Sequence, residues 1–210
     1  MKKSIALVMM AVLLVAASVM GTLAYLTSTA TVKNTFTVGK VAITLDEAEV
    51  TEYGEAVTPA SRVKENTYKL LPGHTYNKDP MVTVLAGSEP SYIKMTVTFS
   101  KANELDAIFA PTGGADLISI FKGYDAANWI NKGNTKDATA NTRTYEFWYK
   151  EAVGAPDGDV ALDALFDSIT VPGEITQKQL ETIADMTITV NAYAIQADGS
   201  TDAADAWRKY

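Results

Sequence analysis

From Leu26 to Val38 apolar and polar positions alternate with a period of two: the even positions read Leu, Ser, Ala, Val, Asn, Phe, Val and the odd ones are nearly all threonine. Side chains that alternate in this way lie on opposite faces of an extended strand. The threonine face suits water, and the face carrying Leu26, Ala30, Val32, Phe36 and Val38 suits an apolar groove. At Gly39 the phase shifts, because Val41, Ile43 and Leu45 become the apolar positions. A glycine at such a break predicts a bulge, bend or hinge. Residues 25–39 therefore read as an arm ahead of a body at 40–210. The arm is either an ordinary first strand of its own sheet or a strand that pairs with another subunit.

Strand patterns dominate the body. A strand is predicted over Val41–Val50 with Val41, Ile43 and Leu45 inward, and the acidic run Asp46, Glu47, Glu49, Glu52, Glu55 reads as a solvated strand end and loop. Pro72-Gly73 marks a turn. Strands follow over Met81–Leu85 and Tyr92–Phe99, joined through Gly87–Pro90 and expected to pair antiparallel; in the second, Ile93, Met95, Val97 and Phe99 form one buried face. Asn103–Phe109 and Ala115–Phe121 space their apolar residues as short helices do. Asn128–Ile130, Thr142–Lys150, Ser168–Val171 and Met186–Ile195 read as strands, and the last places Met186, Ile188, Val190, Ala192 and Ala194 on one face. A loop around 154–159 precedes Val160–Phe166, expected as a short helix. A further helix over Gln177–Ala184 starts at Thr176, with Gln179 as its capping-box partner. Many strands, turn clusters and few short helices predict an all-β antiparallel sandwich with short helical insertions.

The N-terminus changes this picture. Lys2 and Lys3 precede an apolar stretch from Ile5 to Met20, interrupted only by Ser18, then Gly21-Thr22-Leu23-Ala24. The apolar core is shorter than the roughly 20 residues a spanning helix needs, and small residues follow it, so residues 1–24 are expected to be a secretory signal peptide cleaved between Ala24 and Tyr25. The competing expectation is an uncleaved anchor, since apolar character continues to Leu26. Asp205–Tyr210 contains no Leu-Pro-x-Thr-Gly pentapeptide, so covalent attachment to a cell wall is not expected.

Charge and composition narrow the function classes. The chain has 18 Lys+Arg against 25 Asp+Glu, a net charge of −7, and removing Lys2 and Lys3 with the leader leaves 16 basic residues and −9. Such a surface repels nucleic acid and anionic lipid, so the membrane is expected as a partner only of the precursor. With 0 cysteines there is neither a disulfide scaffold nor a thiol nucleophile. The 1 histidine, His74, rules out a His-Glu-x-x-His zinc site; it lies in a turn read as exposed, with no Gly-x-Ser-x-Gly elbow in the chain. The expectation is that the protein is not an enzyme and holds no cofactor. Weak calcium binding stays open at Asp157 and Asp159 or at Asp198, Asp202 and Asp205, although no EF-hand spacing is present. Trp129, Trp148 and Trp207 suit sheet packing better than sugar stacking.

A family resemblance rests on Gly21-Thr22-Leu23-Ala24-Tyr25-Leu26-Thr27, on Asn34-Thr35-Phe36-Thr37-Val38-Gly39-Lys40-Val41, on Leu71-Pro72-Gly73 with Lys78-Asp79-Pro80, and on Ile188–Gly199 with Ala206-Trp207. These segments resemble the TasA and camelysin family of Gram-positive bacteria. The resemblance implies a signal processed by a SipW-type signal peptidase and a jelly-roll-like sandwich. It also implies a secreted subunit of biofilm or surface-matrix fibres, a head-to-tail homopolymer in which each mature N-terminal strand is donated to its neighbour. Two rival classes are a monomeric secreted adhesin or glycan-binding module and a camelysin-like protease. No zinc motif is present to carry the latter activity over.

Overall fold

The structure is a computed structural model that describes residues 9–11, 39–109 and 117–209. The chain divides into two units, Met1–Val38 and Gly39–Tyr210. Of the first, residues 9–11 are helical; Ala24, Tyr25, Leu26, Ala30, Val32, Phe36 and Val38 lie outside the described residues.

The second unit is built mostly from antiparallel β-sheets with a few short helices, in a sandwich-like arrangement. Its strands are β1 (Ile43–Ala48), β2 (Arg62–Val63), β3 (Thr75–Asn77), β4 (Met81–Val84), β5 (Ser88–Ser100), β6 (Phe121–Lys122), β7 (Trp129–Asp137), β8 (Thr142–Tyr149), β9 (Val153–Ala155), β10 (Val160–Ala161), β11 (Ser168–Thr170) and β12 (Ile188–Gln196). The helices are α1 (Ala102–Phe109), α2 (Gln177–Thr182) and α3 (Ala203–Lys209), with a 3-10 turn at Leu117–Ile120. One sheet has the order β10-β4-β1-β2, a second β3-β11-β6, and the largest β12-β5-β8-β7, with β9 pairing onto the start of β5.

The 13-residue β5 is the spine of the large sheet. Its alternation is obeyed without exception over the core: Ile93, Met95, Val97 and Phe99 are each 0 % exposed, while Tyr92, Lys94, Thr96 and Thr98 turn to the other face. Tyr145 and Phe147 of β8 extend this buried face, and Val82 and Val84 of β4 oppose it from the facing sheet. Aromatic rings tie the layers together. Phe121 stacks on Phe166 at 4.3 Å and 7°, and on Phe99 at 5.7 Å. Such pairs add roughly 0.5–1.5 kcal/mol beyond the burial of their area.

Several expectations need correction. Met81–Val84 and Ser88–Ser100 do not pair with each other: β4 pairs with β1 and β10, and β5 with β12, β8 and β9. A link of this length could close a hairpin, but the backbone crosses there from the sheet of β4 to the sheet of β5, with Gly87 N donating to Ala155 O of β9. Val160–Phe166 is not a helix. Leu162, Leu165 and Phe166 have helical spacing and are buried, yet Leu162 N and Leu165 N donate to Val82 O and Pro80 O, so the segment runs beside β4 in extended form. The loop expected at 154–159 begins within β9, and Ala115–Phe121 resolves into the 3-10 turn and β6 over its described part. The helix α3 was not anticipated, although Asp202 caps it by accepting from Asp205 N at 2.8 Å and Arg208 and Lys209 occupy its last turn, the usual polarity of a helix.

Candidate functional site

Two strands with apolar inward faces are less covered than the rest of the core. Ile43 and Leu45 of β1 and Ile188, Val190, Ala192 and Ala194 of β12 are only half-buried, although all pack against the core cluster. Both strands also lack a full set of neighbours among the described residues. The partners of β12 lie on β5 alone, so β12 is an edge; β1 has β4 on one side and meets β2 on the other only at Glu47 and Ala48. An open strand edge presents a row of unpaired N–H and C=O groups.

Between these strands lies a groove of about 1140 Å³. Ile43 and Leu45 line one wall and Ile188, Val190 and Ala192 the other; Leu105 and Phe109 of α1, Ile169 of β11 and Leu180 of α2 complete its apolar lining. The helix α2 is started by a capping box: Thr176 Oγ1 accepts from Gln179 N, and the Gln179 side chain accepts from Thr176 N at 2.9 Å. This is the box expected from sequence.

At one end the groove turns polar. Glu47, expected in solvent, is 6 % exposed and forms an ion pair with Lys78, itself 7 % exposed. The inward phase of β1 continues through Ile43, Leu45 and Glu47, so a two-residue period carries the carboxylate into the interior in spite of its charge. Asn66 Nδ2 donates to Glu47 Oε1 at 3.0 Å and to Ala48 O at 2.9 Å, while Asn66 Oδ1 accepts from Val50 N at 3.1 Å. Lys78 Nζ lies 5.9 Å from the centre of the Tyr68 ring. Burial, then the charge of Glu47, raise the Tyr68 phenol well above its ordinary pKa, so it stays neutral and a donor. Tyr68 Oη donates to Asn77 O at 3.2 Å.

The other residues singled out by sequence go elsewhere. Gly39 is exposed, its backbone stands outside the left-handed range, and an added Cβ would meet Glu89 Cγ at 3.0 Å. The chain around it is tied to the start of β5: Glu89 N donates to Lys40 O at 2.8 Å. His74 is half-buried, not exposed; its Nε2 donates to Tyr53 O at 2.6 Å and its ring meets Tyr76 edge-on at 4.6 Å, with no nucleophile in its hydrogen-bond set. Trp129 is buried, its Nε1 donating to Asp163 O at 3.1 Å. Trp148 and Trp207 lie on the outer side of the large sheet, their rings carrying Lys132 at 4.3 Å and Lys94 at 4.4 Å. Asp159 accepts from Ala86 N at 2.8 Å, and Asp205 is paired with Arg208 and Lys209. Among the described residues no group of three or more acidic or histidine side chains is placed to hold a metal ion. No helix among them is long and apolar enough to cross a membrane.

Periodicity alone could have found Glu47, by continuing the β1 alternation past Leu45, but not its partners, which come from a loop and from the segment between β3 and β4. No protein-family model matches this chain, and neither a curated protein nor a solved structure is similar to it.

Proposed function

We propose that this protein is a secreted structural subunit of extracellular matrix fibres, with a jelly-roll-like body, and that it polymerises by donating residues 25–38 of one copy to the groove of the next. The signal peptide ends at Ala24 in this reading, and cleavage by a SipW-type signal peptidase frees Tyr25 and the arm behind it. The observation that carries the reading is the groove between β1 and β12, which among the described residues is half-covered, with β12 paired on one side only and β1 meeting β2 only at Glu47 and Ala48. A strand that enters it needs apolar residues at every second position and backbone groups free to pair, and Leu26, Ala30, Val32, Phe36 and Val38 supply that pattern immediately ahead of the body. An arm given to the next copy makes a heterologous contact that does not close on itself, so the product is a filament. The resemblance of residues 20–45 and 70–100 to the TasA and camelysin family points the same way.

In sedimentation of protein beginning at Tyr25, Val32→Asp and Phe36→Asp are expected to remain monomeric while the unsubstituted protein pellets, because each places a charge in an apolar groove. Pelleting of both variants at the unsubstituted level would exclude this geometry. The adhesin reading has less support: Trp129 and Trp207 are buried, and the Trp148 ring already carries Lys132. The protease reading has only the resemblance behind it, since the 1 histidine of the chain cannot make a His-Glu-x-x-His zinc site.

A further inference from the structure

The polar end of the groove brings together three groups whose chemistry is complementary. Glu47 is the common partner: Oε2 accepts from the Lys78 amine and Oε1 accepts from the Asn66 carboxamide at 3.0 Å. Glu47 and Lys78 are buried, and the Tyr68 ring and the apolar groove residues surround them. Two opposite charges taken out of water are costly even when paired. Passing one proton from Nζ to the carboxylate removes both charges at once and leaves a neutral amine, the nucleophilic form of lysine.

We propose that Lys78 and Asn66 are joined by a self-formed isopeptide bond, with Glu47 as the proton carrier. Glu47 takes a proton from Lys78 Nζ, and the freed lone pair adds to Cγ of Asn66. The oxygen that gains negative charge is Oδ1, which already accepts from Val50 N at 3.1 Å, so one backbone donor stands where charge develops. Glu47 returns its proton to Nδ2, which it already touches, and receives the second Nζ proton. The Cγ–Nδ2 bond breaks, and Nδ2 departs as ammonia with its own two hydrogens and the one from Glu47. One C–N bond forms and one breaks; nothing is oxidised or reduced, and no cofactor or second molecule is consumed.

The same contacts explain why Asn66 would be the acceptor. Ala48 O and Glu47 Oε1 hold Nδ2, and Val50 N holds Oδ1, so the carboxamide plane is fixed by three bonds to the backbone and side chain of β1 and its extension. In a chain with 0 cysteines, a covalent clasp of this kind does the work a disulfide does elsewhere. It would lock the loop after β2 onto the segment after β3 and stiffen the end wall of the groove. This inference stands apart from the fibre reading, since it concerns chemistry inside one copy.

The test is the mass of the intact full-length protein after folding, followed by tryptic mapping. The expected mass is lower than the sequence mass by one ammonia, with trypsin unable to cut after Lys78 and a branched peptide joining Asn66 to Lys78. Glu47→Gln and Lys78→Arg are each expected to restore the full mass. An unmodified mass in the folded protein would overturn the proposal. So would an ammonia loss with Lys78 still cleavable, which would identify a cyclised asparagine instead.

Discussion

Asp106 shows how a single carboxylate makes stability depend on pH. Burial works against its charge, but the hydrogen bond from Lys136 at 2.7 Å and Arg143 at 2.8 Å outweigh that and hold its carboxyl below the usual range. A carboxyl depressed in the folded state contributes stability above its unfolded pKa and loses it as pH falls through the folded value. Urea midpoints of the native protein should therefore fall below the ordinary aspartate range, and Asp106→Asn should flatten that fall while lowering the midpoint at neutral pH; parallel curves for the two proteins would contradict the assignment. Gly54 is a second residue with a clear physical role. Its φ is +73°, and a Cβ there would lie 2.6 Å from Tyr76 Cα, so Gly54→Ala faces both backbone strain and a backbone clash. A loss of more than about 1 kcal/mol is expected in denaturant unfolding, above the usual cost of adding a methyl at a left-handed site.

At the scale of elements, β5 and β12 are paired along nine positions yet differ in what their apolar faces meet. Val97 of β5 is fully buried, whereas Val190 directly across from it borders the groove and is half-buried. Val97→Asp is expected to unfold the body, because a charge in a closed core is left unpaired. Val190→Asp is expected to keep a cooperative thermal transition and yet abolish pelleting of protein beginning at Tyr25; loss of fold in both would show that the groove is ordinary core. At α2, Thr176→Ala removes the capping box and is expected to cost about 1 kcal/mol in equilibrium unfolding.

The same elements show what could be read from sequence. Period-two strands such as β5 and β12, and the capping box of α2, are local patterns, and local patterns survive in the fold. Which strands pair is not local: Met81–Val84 and Ser88–Ser100 adjoin in sequence but enter different sheets. Val160–Phe166 misleads because Leu162, Leu165 and Phe166 match helical spacing while β4 supplies the backbone partners that decide the matter. Likewise the Glu47, Asn66 and Lys78 contacts join positions whose separation hides them from any periodicity.

At the scale of the whole molecule, the body has a well-packed aromatic core and one weak flank. Tyr145, Phe147, Phe99, Phe121 and Phe166 close the interior, while β1 and β12 leave the groove half-covered. On the proposed reading the mature chain carries −9, so copies would repel at long range and insertion of an apolar strand would have to overcome that repulsion. Filament formation should accordingly strengthen with added salt as that repulsion is screened. The most direct measurement is electron microscopy of purified protein beginning at Tyr25 beside protein beginning at Gly39. Filaments from the first and only monomers from the second are the predicted result; filaments from both, or monomers from both, would contradict donation of the arm as the means of assembly.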